Sequence, residues 1–467
     1  IDLALNIQDK AEIFMMRHRV NFTFYLLGIY TFFLFSKSIL QSKIIAFIAS
    51  MFLLLHPRLF AHGFYNCKDS IAQAIMSCAL LPIFLTYKKN SIKYGIITGI
   101  ICGLAISTRI PVIFLPCLFL LLILIQSYNQ KKSLNFTKSS INLTGYFILS
   151  VIISVYVFWP ILWAKPLISI KHVFETMNHF PWHGINYYMG NFIRGDQIPW
   201  HYIPVWIFIT TPITFLIFFL IGLINTLLKL YEKQEQYFWF QIFMISGFAC
   251  PISIIIFLNS TLYDGWRHVF FIYPFLVYFM SLGFSRTINW LKSKIPISKN
   301  KLIISLSFLT FVGPLINIVN LHPHQQVHYN FLAGKDPMEN FEGDYWGASM
   351  RQGLEWIMKN DDRDSLTIIS PEGIVATKNW SFLDKKRQKS FKYIKRRKIN
   401  STFEYENMLK YSGDYYITNF RGSKEYSHMK KALTYPFKNE VYSININNMK
   451  ILAIYDLNKT SNISSQN

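Results

Sequence analysis

Charge is scarce in this sequence. Aspartate, glutamate, lysine and arginine make up 15% of its 467 residues, against 52% hydrophobic and 17% aromatic. A soluble chain of that length needs far more charge to cover its surface, so the composition excludes an ordinary soluble enzyme. Acidic residues are the rarer sign, 25 against 47 lysines and arginines. The resulting net charge of +22 raises nucleic acid as a partner. The basic residues, however, lie mostly in loops between apolar runs and in one late stretch, where orientation in the membrane and anionic lipid account for them better. Cysteine is sparse too. Cys78, Cys102, Cys117 and Cys250 lie inside apolar runs as small hydrophobes, and only Cys67 sits in a loop, so no disulfide framework is implied. His179, His183 and His201 share one loop without the spacing of a familiar metal motif; a divalent metal stays open as a cofactor. The chain begins at Ile1 rather than Met and opens with no signal peptide, and is therefore expected to be a fragment.

What the sequence has in quantity is apolar runs. "IPVIFLPCLFLLLILIQ" (110–126) and "GYFILSVIISVYVFWPILW" (145–163) are of bilayer-crossing length or close to it. About ten such segments are expected, near 20–35, 44–55, 71–87, 94–106, 110–126, 141–163, 203–228, 237–258, 268–284 and 302–319. Alternate short connections carry the lysines: Lys37 and Lys43, then Lys88, Lys89 and Lys93, then Lys131, Lys132 and Lys138. The same parity continues with Lys229 and Lys233, then Arg286, Lys292, Lys294, Lys299 and Lys301. By the positive-inside rule these loops are cytoplasmic, which leaves 1–19, 56–70, 164–202, 259–267 and everything after 320 on the opposite face.

After residue 320 the hydropathy falls. The strand-like runs at 365–370, 415–420, 440–446 and 449–457 alternate with polar or helical stretches such as "GASMRQGLEWIMK". The fold class is thus a polytopic α-helical membrane bundle, 1–319, followed by a small soluble α/β or α+β domain, 320–467, outside the membrane. The basic run 385–398 is a solvated or lipid-facing surface, and nucleic acid is excluded as a partner on that side.

The ionisable residues of the non-cytoplasmic face gather at helix mouths, where charge is costly unless it pairs, meets water or grips a ligand. "HPRLFAHGFYNCKDS" (56–70) holds Arg58, His62, Lys68 and Asp69. Asp69 or Ser70 is a candidate cap for the helix that follows. Lys68 beside a helix N-terminus makes an anion site, with phosphate the obvious anion. "YDGWRH" places Asp264, Trp266, Arg267 and His268 where the next apolar helix begins. One reading is an anchor, Trp266 in the aromatic belt and Arg267 snorkelling; the other is an Arg fork on phosphate with Asp264 as orienter or proton acceptor. Arg109 in "GLAISTRIP" either snorkels or lines the same cavity. Loop 164–202, with Trp182 among its aromatics, reads as interfacial helices covering a cavity, its rings suited to stack on sugars or isoprenoid chains. Asp344 precedes a helix and is expected to cap it.

In their order, "HPRLFAHGFYNCKDS", "GLAISTR", "YDGWRHVFFIYP", "HPHQQVHYN" and "DYWGASMRQGLEW" resemble the bacterial family that includes protein O-mannosyltransferases and lipid A aminoarabinose transferases, over about residue 17 to beyond 350. These are GT-C-class glycosyltransferases using polyprenyl-phosphate sugars. The resemblance implies a multi-pass protein of the bacterial plasma membrane, part of the cell-envelope machinery, with an outward-facing active site. The implied reaction is an inverting hexosyl or pentosyl transfer from a polyprenyl-phosphate-linked donor to a lipid, glycan or protein acceptor. It also implies an acidic motif in a first external loop; residues 1–19 match only the end of such a loop, and Asp2, Asp9 and Glu12 form no recognisable motif. The expected roles are therefore Lys68, Arg58, Arg267 and Arg109 on the phosphate, His268 as a donor, Trp182 over the substrate, and Asp69 or Asp264 as the visible carboxylates. The competing classes are a transporter, against which the lack of an internal repeat counts, and a non-catalytic membrane scaffold.

Overall fold

A computed structural model of the chain describes residues 9–131, 138–178, 182, 184–234, 236–363, 365–370, 373–380, 382–383, 391–396, 413–421 and 439–458. Asp2, Lys132, His179, His183 and most of the basic run 385–398 lie outside the described residues. The chain divides into two compact units: Arg17–Trp182 with Ile198–Asn320, and Ile1–Met16 with His183–Gln197 and Leu321–Asn467.

The first unit is a helix bundle. Among the described residues eight helices are long and apolar enough to cross a membrane. Helix α1 (Lys10–Leu40) starts where the Asp9 carboxylate accepts from the backbone N–H of Ala11, at 2.8 Å. α2 (Lys43–Leu54) and α3 (Pro57–Tyr65) meet the span criterion only as a pair, bent by 68°. The break follows from Pro57 at the first turn of α3, which has no N–H to continue the ladder. α4 (Asp69–Lys89) is a full span, while α5 (Ile92–Thr108) is apolar but short. α6 (Phe114–Lys131) and α7 (Lys138–Phe158) follow. Each of the ten expected segments is helical, but two fall short of a straight span and one is divided. That one is 203–228, which Pro212 splits into α9 (Tyr202–Thr210) and α10 (Ile213–Tyr231). Between α7 and α9, loop 164–202 holds α8 (Pro166–Asn178) and then a hairpin that belongs to the second unit, β1 (Ile185–Tyr188) with β2 (Asn191–Arg194), which the hydropathy reading did not anticipate.

α11 (Phe238–Phe257), α12 (Tyr273–Lys294) and α13 (Lys299–Asn320) complete the bundle. Small residues let helices close on each other where the hydrophobic effect gives no drive in lipid. On α5, a Cβ at Gly99 would lie 2.7 Å from the Phe147 carbonyl oxygen of α7. The far side of α7 shows Ile148, Ile152 and Ile153 outward, as a lipid-facing surface should.

The second unit carries a five-stranded sheet in the order β4-β3-β5-β7-β6, formed by β3 (Leu366–Ser370), β4 (Phe391–Arg396), β5 (Tyr415–Thr418), β6 (Glu440–Ile446) and β7 (Met449–Asp456). β3 runs parallel to β4 and β5, and β7 antiparallel to β5 and β6. β4 falls inside the basic run, whose alternation is hidden by its lysines and arginines. Helices α14 (Ser349–Asn360) and α15 (Gly373–Trp380) belong to the same unit. Asp344 is 1% exposed and accepts from the Ser349 N–H and hydroxyl, both at 2.7 Å, so it secures the start of α14. "HPHQQVHYN" and "DYWGASMRQGLEW" likewise serve this unit: His324 pairs with Gln352 at 2.8 Å and Gln326 donates to Asp344.

Candidate functional site

Four ionisable side chains from three separate loops meet at helix ends in the bundle. Asp69 opens α4, Arg109 follows the last residue of α5, and Asp264 and Arg267 lead into α12 through the 3₁₀ turn Arg267–Ile272. Both termini suit their charges: a carboxylate in a first turn and a cation after a last turn complement the helix dipole. Arg109 Nη2 donates to Asp69 Oδ1. Arg267 Nη1 donates to Asp69 Oδ2 at 3.0 Å, and its Nη2 and Nε donate to Asp264 Oδ2 at 3.0 and 3.2 Å. The Asp69 side chain is 1% exposed, against 12% for Arg267 and 21% for Arg109, so the carboxylate is buried behind two less buried guanidinium groups.

The backbone around Asp264 is built for this. Asp264 and Gly265 both take positive φ, +58° and +71°. Asp tolerates that region and Gly adopts it at no steric cost. Gly265 N–H donates to the Tyr202 hydroxyl at 3.1 Å, and a Cβ there would stand 3.4 Å from the Trp206 ring. Trp266 is 2% exposed and its Nε1 donates to Thr210 Oγ1 at 2.9 Å. The anchor reading of "YDGWRH" is thereby corrected: Trp266 is a core residue and Arg267 turns inward to two carboxylates. The capping reading of Asp69 is corrected too. Asn66 does that work, its Oδ1 accepting from the N–H groups of Asp69 at 2.9 Å and Lys68 at 3.3 Å. Two cations bind the Asp69 carboxylate more strongly than a backbone amide would.

Aromatic rings flank the cluster. Trp182 stacks on Tyr263 with centroids 4.4 Å apart and planes 16° from parallel. Arg267 lies over the same Tyr263 ring at 4.8 Å, and His268 meets it edge-on at 4.5 Å. Sequence reasoning missed Tyr263 and Asn66, because a neutral residue at a helix mouth carries no electrostatic cost to flag it. Lys68 is exposed beside Asp69, with no described residue engaging its ammonium. Arg58 is 1% exposed, with its guanidinium 5.3 Å from the Trp206 ring centroid. Among the described residues no group of three or more His, Cys, Asp or Glu could hold a metal ion.

Two buried nitrogens of the cluster, Arg109 Nε and His268 Nδ1, have no hydrogen-bond partner among the described residues. Buried polar groups are nearly always satisfied, and exceptions call for a ligand or another explanation. Guanidinium forks, an exposed ammonium and buried N–H groups are the donor types that suit an anion, and planar guanidinium geometry matches phosphate or carboxylate.

Residues 9–159 match the model of the dolichyl-phosphate-mannose-protein mannosyltransferase family. That match fits the GT-C class that the motifs resemble, and it spans α1 to α7, with Asn66, Lys68, Asp69 and Arg109 inside it. None of the curated proteins matches the chain. Among solved structures, the chain is similar to an Archaeoglobus fulgidus oligosaccharyltransferase in the apo form at 9% identity and TM-score 0.43, covering 90% of this chain and 60% of that one. It is similar to ArnT from Cupriavidus metallidurans in the apo state at 11% identity and TM-score 0.44, covering 94% of this chain and 83% of that one. The same ArnT bound to undecaprenyl phosphate gives 12% identity and TM-score 0.38 over the same shares.

Proposed function

We propose that the chain is an integral membrane glycosyltransferase that moves a sugar from a polyprenyl-phosphate donor to a hydroxyl acceptor at the non-cytoplasmic face of a bacterial plasma membrane. The observation that supports it best is the Asp69–Arg109–Arg267–Asp264 cluster with unsatisfied Arg109 Nε and His268 Nδ1 at helix ends; the family match over residues 9–159 gives it its chemistry. Transporter charges tend toward mid-membrane, whereas these stand at helix mouths.

In this reading Lys68, Arg109 and Arg267 neutralise the donor phosphate, and His268 hydrogen-bonds it. The acceptor oxygen forms a bond to the anomeric carbon as the bond from that carbon to phosphate oxygen breaks, inverting the centre. Negative charge grows on the departing polyprenyl phosphate, and cations already in place lower that barrier. The acceptor proton goes to a carboxylate. Both oxygens of Asp69 are occupied by donors, so Asp69 organises the cations; Asp264, whose Oδ2 accepts from Arg267, is the other carboxylate in the cluster and the candidate for proton acceptance. The stacked Trp182 and Tyr263 rings give the sugar an aromatic face. Arg58, sealed against Trp206, supports the wall behind the Asp264–Gly265 turn rather than the phosphate.

The test is sugar transfer from a polyprenyl-phosphate donor in proteoliposomes. The reading expects a Lys68→Ala, Arg267→Ala double variant to lose transfer by at least about a hundredfold, two charge-assisted contacts of about 1.4 kcal/mol or more each. Normal transfer by that variant removes it.

A further inference from the structure

Every polar atom of the Asn66 side chain is committed. Its Oδ1 accepts from the N–H groups of Asp69 and Lys68, at 2.9 and 3.3 Å. That fixes the amide orientation, since an NH₂ group turned toward two N–H donors would have no acceptor. Its Nδ2 therefore faces the other way, donating to Asp69 Oδ2 at 2.9 Å and to His62 Nδ1 at 3.0 Å. His62 Nδ1 is consequently an acceptor, which places any ring proton of the neutral imidazole on Nε2. Asn66 and His62 are both buried, at 3% and 0% exposure.

We propose that Asn66, held by His62, is a positioning residue for phosphate binding; this rests on the reading given under Proposed function. Asp69 Oδ2 takes two donors, one from Asn66 and one from Arg267, while Oδ1 takes Arg109. A carboxylate fixed by its helix alone would turn about its last torsion, which is soft. The Asn66 amide and the two guanidinium groups hold it so that each oxygen addresses a different arginine. The spacing of the forks is thus set from behind by a residue that touches no substrate. The charged and titratable groups facing this relay are His56 before α3, Arg58 and His62 from α3, Asp69 from α4, Arg109 beyond α5 and Arg267 before α12.

The discriminating variant is Asn66→Asp, which is isosteric. Ionised, the new carboxylate still accepts from the backbone but has no hydrogen for Asp69 or His62, and it repels Asp69. Protonated, it regains one donor. Binding of polyprenyl phosphate in detergent micelles by the full chain is expected to weaken at least about tenfold in this variant near pH 7.5 and to recover as pH falls toward about 5.5, a range where a carboxyl beside another carboxylate takes up its proton. The wild type is expected to show no such recovery. Should Asn66→Asp not fold, His62→Asn, which keeps an acceptor near the Nδ1 position, is expected to bind like wild type, and His62→Leu at least about tenfold more weakly. Wild-type binding by Asn66→Asp at both pH values, or equal loss in His62→Asn and His62→Leu, overturns the relay. An Arg267→Ala control separates the two levels: undiminished binding there overturns the phosphate site itself, whereas weakened binding there beside an indifferent Asn66→Asp overturns the relay alone.

Discussion

At the scale of single residues, Asp69 is the side chain on which the site depends. It is buried, and it stands between two arginines that would otherwise face each other in a weakly solvated place. Removing one partner of a buried pair costs about 3–5 kcal/mol, because the other charge stays behind. Asp69→Ala is therefore expected to lower the thermal midpoint of the purified protein markedly as well as abolish transfer, whereas Lys68→Ala, at an exposed position, should lose transfer with an unchanged midpoint. The second unit has its own charge network. Arg363 donates to Asp361 at 2.6 Å and to Asp414 at 2.7 Å, and Tyr415 donates to Asp361 at 2.9 Å. The Arg363 hydrogen bond holds the Asp361 carboxyl down at about 2, below its ordinary 3.8, and burial with the Asp361 bond raises Tyr415 to about 12. A carboxylate depressed in the folded state stabilises it above the ordinary value and loses that contribution as pH falls through about 2. Protection of the β3 and β5 amides against hydrogen exchange should fall between pH 4 and 2, and Asp361→Asn should flatten that fall. The ionisable members of the site were legible in the sequence, since charge at the mouth of an apolar helix demands a partner. Asn66 and Tyr263 were not, and neither was the cation–π contact of Arg58 with Trp206, which lies 148 positions away in the chain, a separation no local pattern encodes.

At the scale of elements, hydropathy located the helices and could not divide them. Pro57 and Pro212 mark the breaks, but their effect depends on whether neighbouring helices satisfy the freed backbone. The pairing of α5 with α7 is equally invisible to hydropathy, because it rests on Gly95, Gly99 and Gly103 meeting Leu143, Phe147 and Ser154. Since Arg109 follows α5 directly, this contact also fixes one arm of the site. Gly99→Leu, placed against the Phe147 carbonyl, should force the helices apart by some ångströms, lower the midpoint and reduce polyprenyl phosphate binding together. Gly145→Ala, where a Cβ meets nothing within 4 Å, should change neither. The four strands after residue 360 showed their alternation in the sequence; β4 did not, since five of the eight residues Lys392–Ile399 are lysine or arginine.

At the scale of the whole molecule, the parity of lysine-rich loops assigned 56–70 and 259–267 to one face, and the Asp69–Arg267 pair joins those loops. Cys67 lies in the first of them and is exposed. A membrane-impermeant thiol reagent should label it from outside intact cells, while a cysteine placed at Lys88 should react only after the membrane is opened. The most direct test of the central claim compares ligands that differ by one group. Affinity of the full chain for polyprenyl phosphate and for the uncharged polyprenol, measured in the same micelles, should differ by at least about tenfold in favour of the phosphate, as a charge-assisted contact worth about 1.4 kcal/mol or more requires, and the difference should vanish in Arg267→Ala. Equal affinity for the two lipids in the wild-type chain would contradict the account.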